Sequence, residues 1–243
     1  MVNRITSSWW TSNFGRADLD LTSSADQRPP QIECKPDGEP LDMDGMVLQW
    51  YFELATKTHT IYDALHVVSL QPAHRIEVVL RLSADMDAWF DGLPMSARVL
   101  ASSAVAKPSV NLLALLCLYQ TYRILIYRPF CAWQPGLSDL LPQAMDECKT
   151  AADHVMRYVR ILKDGDDVRR APYTLHSALY VAGTAFLLQC SMIGHPVSAE
   201  KSTQAKSDLA EVIEVLEEVG EVWPSAASSA GALSNLRGVW APG

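Results

Sequence analysis

Three side chains that could bind a metal ion follow one another at helical spacing in the first third of the chain. His59, Asp63 and His66 stand at positions i, i+4 and i+7, so a helix would place all three on one face. Imidazole nitrogens and a carboxylate oxygen are ligands that zinc accepts. Catalytic zinc sites on helices usually carry the tighter H-E-x-x-H pattern, which the sequence lacks. We therefore interpret these residues as a solvated polar face and predict no metal site; a metalloenzyme is the least favoured alternative.

The cysteines give no sign of a disulfide framework or of a zinc knuckle. They are five in number, and the closest two, Cys117 and Cys131, are fourteen positions apart. Cys148 falls on the apolar stripe of a predicted helix, where a buried cysteine behaves as a small hydrophobic residue. The pattern indicates a reducing compartment, the cytosol or the nucleus.

Motifs that usually mark an enzyme are absent from the sequence. There is no G-x-S-x-G elbow, no P-loop and no G-x-G-x-x-G phosphate cradle. Asp164, Asp166 and Asp167 are close together, but Arg169 and Arg170 follow them in the same predicted turn, so we interpret them as a solvated loop. We predict that the chain is not an enzyme and name no catalytic residue.

Composition limits the partners of the chain. With 243 residues, 49% of them hydrophobic, it can bury one sizeable core. Its formal net charge of −8 makes it a poor ligand for duplex DNA, because such affinity comes largely from lysines and arginines that displace counterions. No direct DNA contact is therefore expected.

The elements that must position any site are helices. From about Leu112 to Tyr127 the sequence is apolar on nearly every side, as in a helix surrounded by other helices, and Arg128-Pro129 ends it. Other helical patterns carry an apolar stripe and a polar face; they cover about 47–70, 73–91, 145–162, 174–193 and 209–223. The prediction is an all-α, irregular multi-helix array around a buried central helix.

The domain organisation follows from the same patterns. Residues 1–46 are predicted to form an N-terminal helix and a long Pro-, Asp- and Gly-rich loop that belong to the same domain as residues 47–243. Helix following helix is also the layout of a solenoid, so a scaffold protein that binds other proteins remains an alternative. The stretch 174–193 has no charged residue, so a membrane-anchored helical protein is a second alternative.

An acidic face lies on the last of these helices. It is formed by Asp208, Glu211, Glu214, Glu217, Glu218 and Glu221. Acidic amphipathic segments can recruit transcription partners, but we favour the interpretation of a solvated face on a packed helix.

Several short motifs follow one another along the chain. We refer to their core positions as the signature residues: Trp89, Leu93, Pro94, Tyr119, Tyr122, Arg123, Tyr127, Arg128, Pro129, Phe130, Cys148, Ala152, Trp223 and Pro224. Trp9-Trp10 and Arg28-Pro29-Pro30 precede them. In this order and spacing they resemble the regulatory, or middle homology, domain of fungal binuclear zinc-cluster transcription factors.

The resemblance implies an all-α nuclear domain that regulates RNA polymerase II transcription. In that family a zinc cluster binds DNA and a coiled coil often forms dimers, so homodimers or heterodimers with related factors are the expected partners. Zinc is expected only in the DNA-binding part, and no cofactor in this chain. A small-molecule effector is a candidate ligand; Arg123 and Arg128 are its candidate contacts, although a structural role at the helix end is favoured for both.

The chain departs from the family pattern at its beginning. It has no six-cysteine cluster, no basic linker and no heptad zipper, and we expect the regulatory domain to be incomplete at its N-terminal side. A truncated gene model, a fragment and a paralogue without the DNA-binding half all fit the sequence. If helices are missing, exposed apolar surface should make the isolated chain dependent on a partner or poorly soluble.

Overall fold

The computed structural model describes residues 42–66, 72–100, 108–131, 141–191 and 199–240. The predicted all-α class is confirmed, because 90% of this part is helical and no strand occurs in it. Eight α-helices lie within the described ranges: α1 (Met43–His66), α2 (Pro72–Gly92), α3 (Met95–Leu100), α4 (Val110–Tyr127), α5 (Leu141–Asp164), α6 (Thr174–Ser191), α7 (Ala199–Gly220) and α8 (Pro224–Trp240). Short 3-10 helices, Arg128–Phe130 and Val168–Arg170, follow α4 and α5.

Helix α4 is the central helix that the sequence predicts. Ser109 caps its start, because the Ser109 hydroxyl accepts a hydrogen bond from the Leu112 amide at 3.2 Å. Fourteen of its eighteen residues are buried. The helix ends at Tyr127, because Pro129 has no backbone N–H with which to continue the helical hydrogen bonds. Residues Arg128–Phe130 form a 3-10 turn instead.

Four other helices bury α4. Helices α1, α2, α5 and α6 all pack against it, although α1 and α6 are far from it in sequence. In the described part of the chain one stretch, Val110–Phe130, is long and apolar enough to cross a membrane, and 78% of it is buried inside the protein. The interpretation of α4 as a core helix is therefore confirmed.

Helix α6 packs closely against the C-terminal helices. A Cβ atom added to Gly183 would lie 2.5 Å from Leu233 Cδ1 of α8 and 3.1 Å from Val212 Cγ1 of α7. The close approach therefore favours a residue without a side chain at this position. Most α6 side chains are buried among α4, α5, α7 and α8.

Several element boundaries differ from the sequence-based prediction. Residues 43–46, assigned to the long loop, form the first turn of α1, because the Asp42 carboxylate accepts from the Gly45 amide at 2.9 Å and caps the helix. The last predicted helix, about 209–223, corresponds to α7, which begins earlier, at Ala199, and ends at Gly220; α8, which begins at Pro224, was not predicted. The short α3 was not predicted either. Residues 1–41, 67–71 and 192–198 lie outside the described residues, as do the predictions made for them.

Candidate functional site

The Arg123 guanidinium lies at the centre of a charged cluster that joins three helices. Its Nη1 donates to Asp87 Oδ1 of α2 at 2.6 Å, and its Nη2 donates to Glu147 Oε2 of α5 at 2.6 Å. The Tyr119 hydroxyl, one turn earlier on α4, lies 3.2 Å from Arg123 Nη1 and donates to Asp87 Oδ1 at 3.1 Å. The cluster therefore ties α2, α4 and α5 together.

Electrostatics in this cluster favour a permanently charged arginine. Burial alone disfavours the charged guanidinium, but Tyr119, Asp87 and Glu147 outweigh it and raise the pKa of Arg123 above its ordinary value. Burial also raises the pKa of Tyr119 to about 12, against the opposing effect of the Arg123 charge. Only 21% of the Arg123 side chain is exposed, so both ion pairs are partly shielded from water.

Aromatic side chains extend the cluster towards α1. The Tyr119 ring stacks on Phe90 with centroids 4.9 Å apart and contacts Trp89 at 5.7 Å. The Trp89 indole nitrogen donates to Glu53 Oε2 of α1 at 3.2 Å. The signature residues Trp89 and Tyr119, thirty positions apart in sequence, are thus in direct contact.

Two further signature tyrosines are buried on α4. The Tyr127 hydroxyl donates to Ser83 Oγ of α2 at 2.9 Å. Tyr122 is 8% exposed, and burial raises its pKa. The hydrogen bond of Tyr127 joins the end of α4 to α2.

Arg128 has a different environment from Arg123. Its Nη1 donates to the Thr184 hydroxyl of α6 at 3.2 Å. Burial lowers the pKa of Arg128, although nearby Cys148, Tyr180 and Cys131 act in the opposite direction. Among the described residues, no carboxylate forms an ion pair with this guanidinium.

The other signature residues at the end of α4 belong to the core. Phe130 is 4% exposed, and Pro129 opens the 3-10 turn. On the facing helix α5, Cys148 and Ala152 are buried, as their position on the apolar stripe predicts. The Sγ atoms of Cys148 and Cys131 are 3.6 Å apart.

The remaining signature residues do not join the cluster at Arg123. Leu93 is buried after α2, and the Pro94 carbonyl oxygen accepts from the Ala97 amide at 2.9 Å at the start of α3. Trp223 is 37% exposed and packs edge-on against Tyr173 in the turn before α8. Pro224, which begins α8, is exposed.

A shallow apolar groove lies between α2, the end of α4 and α5. It encloses about 250 Å³ of empty space, part of it open to solvent. Its lining residues are Ile76, Val79, Leu80, Tyr127, Phe130, Gln143 and Ala144. Neither Arg123 nor Arg128 lines it, so the two candidate effector contacts do not face this groove.

The described residues contain no candidate metal centre. No group of three or more histidine, cysteine, aspartate or glutamate side chains in that part of the chain is placed to hold a metal ion. His59, Asp63 and His66 lie on α1, but their side chains are outside the described part. Asp164, the last residue of α5, and Asp166, in the turn that follows, are exposed as expected. Asp167 is instead 6% exposed and pairs with Arg170 at 3.5 Å, so the prediction of a wholly solvated carboxylate cluster was wrong.

The acidic face of α7 binds basic residues of the same chain. Arg160 of α5 pairs with Asp208 and Glu211, and Lys163 pairs with Glu214 at 3.0 Å. Arg169 pairs with Glu221 at 2.8 Å. This arrangement favours a packed helix with a charged seam over a surface kept free for transcription partners.

Sequence reasoning missed Asp87 and Glu147, the two carboxylates that hold Arg123. They are 36 and 24 residues away from it, and each lies one position from a buried residue, Met86 or Cys148. The sequence signal that could have identified them is a carboxylate at the edge of a helix's apolar stripe, where it can reach a charged group on a neighbouring helix.

Comparison of the chain with protein-family models, with curated proteins and with solved structures finds no match in any of the three.

Proposed function

We propose that the chain is a regulatory helical domain of a zinc-cluster transcription factor that acts in the nucleus and without catalysis. The observation that carries the proposal is the assembly of signature residues from α2, α4 and α5 around one buried helix. Trp89, Tyr119, Arg123 and Cys148 resemble the family in sequence order; Tyr119 and Arg123 lie on α4, and Trp89 of α2 and Cys148 of α5 contact that helix.

The pattern of helix packing supports a regulator over a scaffold. Stacked helix pairs of a solenoid contact mainly their neighbours in sequence. Here α1 packs on α4, α4 on α6, and α6 on α8, so a central helix is enclosed on several sides. Such an enclosed core can respond as a unit to a partner or an effector, because packed helices move together rather than one at a time.

The charge of the domain defines its role in the complete regulator. With a net charge of −8, it is suited to contact proteins rather than DNA, and DNA recognition falls to a separate zinc-cluster part. Dimerisation with a second copy or a related factor would bring this domain to a promoter. Zinc would then be held outside this chain.

The experiment is a tethered reporter assay in a fungal cell. The full chain is fused to an unrelated DNA-binding domain, and transcription from a promoter with its operator is compared with that of the DNA-binding domain alone. We expect a change in reporter output that Arg123→Met abolishes and that Arg237→Met, a matched change at an exposed arginine of α8, leaves intact. Unchanged output from a fusion that accumulates in the nucleus would contradict the proposal.

The two alternatives give different results in the same cells. A scaffold protein would bind partners without altering the reporter. A protein anchored through residues 174–193 would remain in the membrane pellet after alkaline carbonate extraction, whereas the regulator would be released.

A further inference from the structure

Two buried thiols meet where the end of α4 packs on α5. Cys131 directly follows the 3-10 turn Arg128–Phe130, and Cys148 lies in the second turn of α5. Their Sγ atoms are 3.6 Å apart, and the two residues are 5% and 2% exposed. Each thiol also approaches a carbonyl oxygen of α4 at 3.7 Å, that of Tyr127 for Cys131 and that of Ile124 for Cys148.

The two thiols are not chemically equivalent. The hydrogen bond from Cys148 lowers the pKa of Cys131, and the Arg128 charge acts in the same direction, although burial opposes both. The same hydrogen bond and burial raise the pKa of Cys148. Cys131 is therefore the thiol that ionises first, with Cys148 as the proton donor that stabilises its thiolate.

Other buried cysteines lack this environment. Cys117 is fully buried in the middle of α4, and burial raises its pKa. Burial likewise raises the pKa of Cys190. An ordinary buried cysteine is inert, because its thiolate is destabilised and no second sulfur is within reach.

We propose that Cys131 and Cys148 form a modification site for hydroperoxides, at which peroxide converts the two thiols into a disulfide. The Cys131 thiolate attacks one peroxide oxygen, the O–O bond breaks, and Cys131 becomes a sulfenic acid. The departing oxygen takes the proton that Cys131 released and leaves as water or an alcohol. The Cys148 sulfur then attacks the sulfenic sulfur, the S–S bond forms, and the hydroxyl group leaves with the Cys148 proton as a second water.

The geometry favours the second step. The sulfur atoms must approach from 3.6 Å to about 2.05 Å, a shift within the reach of side-chain rotation and a small movement of the turn that carries Cys131. Cys131 lies at the end of a three-residue 3-10 helix rather than inside a long one, so local opening there can admit a water-sized oxidant. The disulfide would fasten the end of α4 to α5. This inference does not depend on the proposed function.

The test maps the disulfide in the full native chain after treatment with hydrogen peroxide. Remaining thiols are alkylated under denaturing conditions, and the protein is cut by trypsin together with a protease that cleaves before aspartate. Cleavage after Arg123 and Lys149 and before Asp139 and Asp146 leaves Cys131 in residues 124–138 and Cys148 in residues 146–149. We expect mass spectrometry to find these two peptides linked, and reduction to separate them.

Variants separate this pair from the other cysteines. Cys117→Ser should keep the linked peptides, whereas Cys148→Ser should lose them completely and leave a Cys131 sulfenic acid that dimedone captures. Should Cys148→Ser fail to fold, the wild-type map alone decides. Recovery of both peptides in alkylated form, at a peroxide dose that fully oxidises free cysteine, would overturn the proposal, and so would a disulfide from Cys131 to any other cysteine.

Discussion

Arg123 and Arg128 stand five residues apart on the same buried stretch, yet the protein holds them in opposite ways. Arg123 is fixed by Asp87 and Glu147, at 2.6 Å each, whereas Arg128 donates to the Thr184 hydroxyl at 3.2 Å. Surrounding charges raise the pKa of Arg123, and burial lowers that of Arg128. A charge in a core stabilises the fold only where carboxylates compensate for its lost hydration.

The position of each arginine explains the difference. Arg123 lies within α4, where carboxylates at the polar edges of α2 and α5 can reach it. Arg128 lies at the C-terminal end of α4, where Thr184 and Tyr180 of α6 are near it. The helix end itself favours a positive charge there, because its free carbonyl groups carry partial negative charge.

The largest effect should come from Arg123→Met. The substitution keeps most of the apolar volume but leaves Asp87 and Glu147 without their shared cation. Since Asp87 is 47% exposed and Glu147 28%, we expect a loss of about 2 kcal/mol, between that of an exposed and a buried ion pair. Urea denaturation measures it. Arg123→Lys, which keeps the charge but cannot bridge both carboxylates as well, should lose less; equal losses would contradict the bridging role.

The second-largest effect should be a loss of stability at alkaline pH, through Tyr119 beside Arg123. The pKa of Tyr119 is raised from 10.0 to about 12, so between these values the folded protein keeps a proton that the unfolded chain has lost. The contribution of Tyr119 to the free energy of unfolding should therefore be constant below pH 10 and should be lost as the pH rises towards 12. Melting temperatures across this range would show a shallower fall for Tyr119→Phe than for the wild type. An identical fall in both would rule out Tyr119 as a contributor.

Arg128→Met should change the free energy of unfolding less than Arg123→Met does. Arg128→Met removes a poorly compensated buried charge, and Thr184 still donates to the Val181 carbonyl at 2.7 Å, so no polar atom of this pair loses its last partner. The free energy of unfolding should change by less than about 1 kcal/mol in either direction. A loss as large as that of Arg123→Met would reveal a stronger partner for Arg128 than Thr184.

The smallest difference between wild type and Arg128→Met should be in the shift of melting temperature that a ligand causes. Because neither arginine lines the apolar groove, we expect anionic metabolites to shift the melting temperature of wild type and Arg128→Met equally. Differential scanning fluorimetry measures both. A metabolite that stabilises only the wild type would make Arg128 an effector contact after all.

The sequence predicted the burial of α4 because nearly every residue from Leu112 to Tyr127 is apolar, which leaves few other environments for such a helix. The packing partners of that helix were harder to foresee. Asp87 and Glu147 reach Arg123 only once three helices have taken their mutual positions, and no local pattern encodes that. A charge partner 36 residues away is a property of tertiary structure.

Helix α8 was missed for a different reason. Its buried positions include Ala226, Ala230 and Leu233, and the alanines give a weak hydrophobic signal although their spacing is helical. Pro224 at its first position and the close contact of Leu233 with Gly183 mark it in the structure. Alanines at helical spacing therefore predict a buried helix face as leucines do, where neighbouring helices approach closely.

The most direct test of the account is hydrogen exchange of α4 in detergent-free buffer, because a helix enclosed by other helices opens only when the domain unfolds. We predict that amides of residues 114–126 are among the slowest to exchange, far slower than those in residues 234–240 at the end of α8, where most side chains are exposed. Exchange in α4 as fast as at that end would contradict the central claim that its own helices, rather than lipid or solvent, surround it.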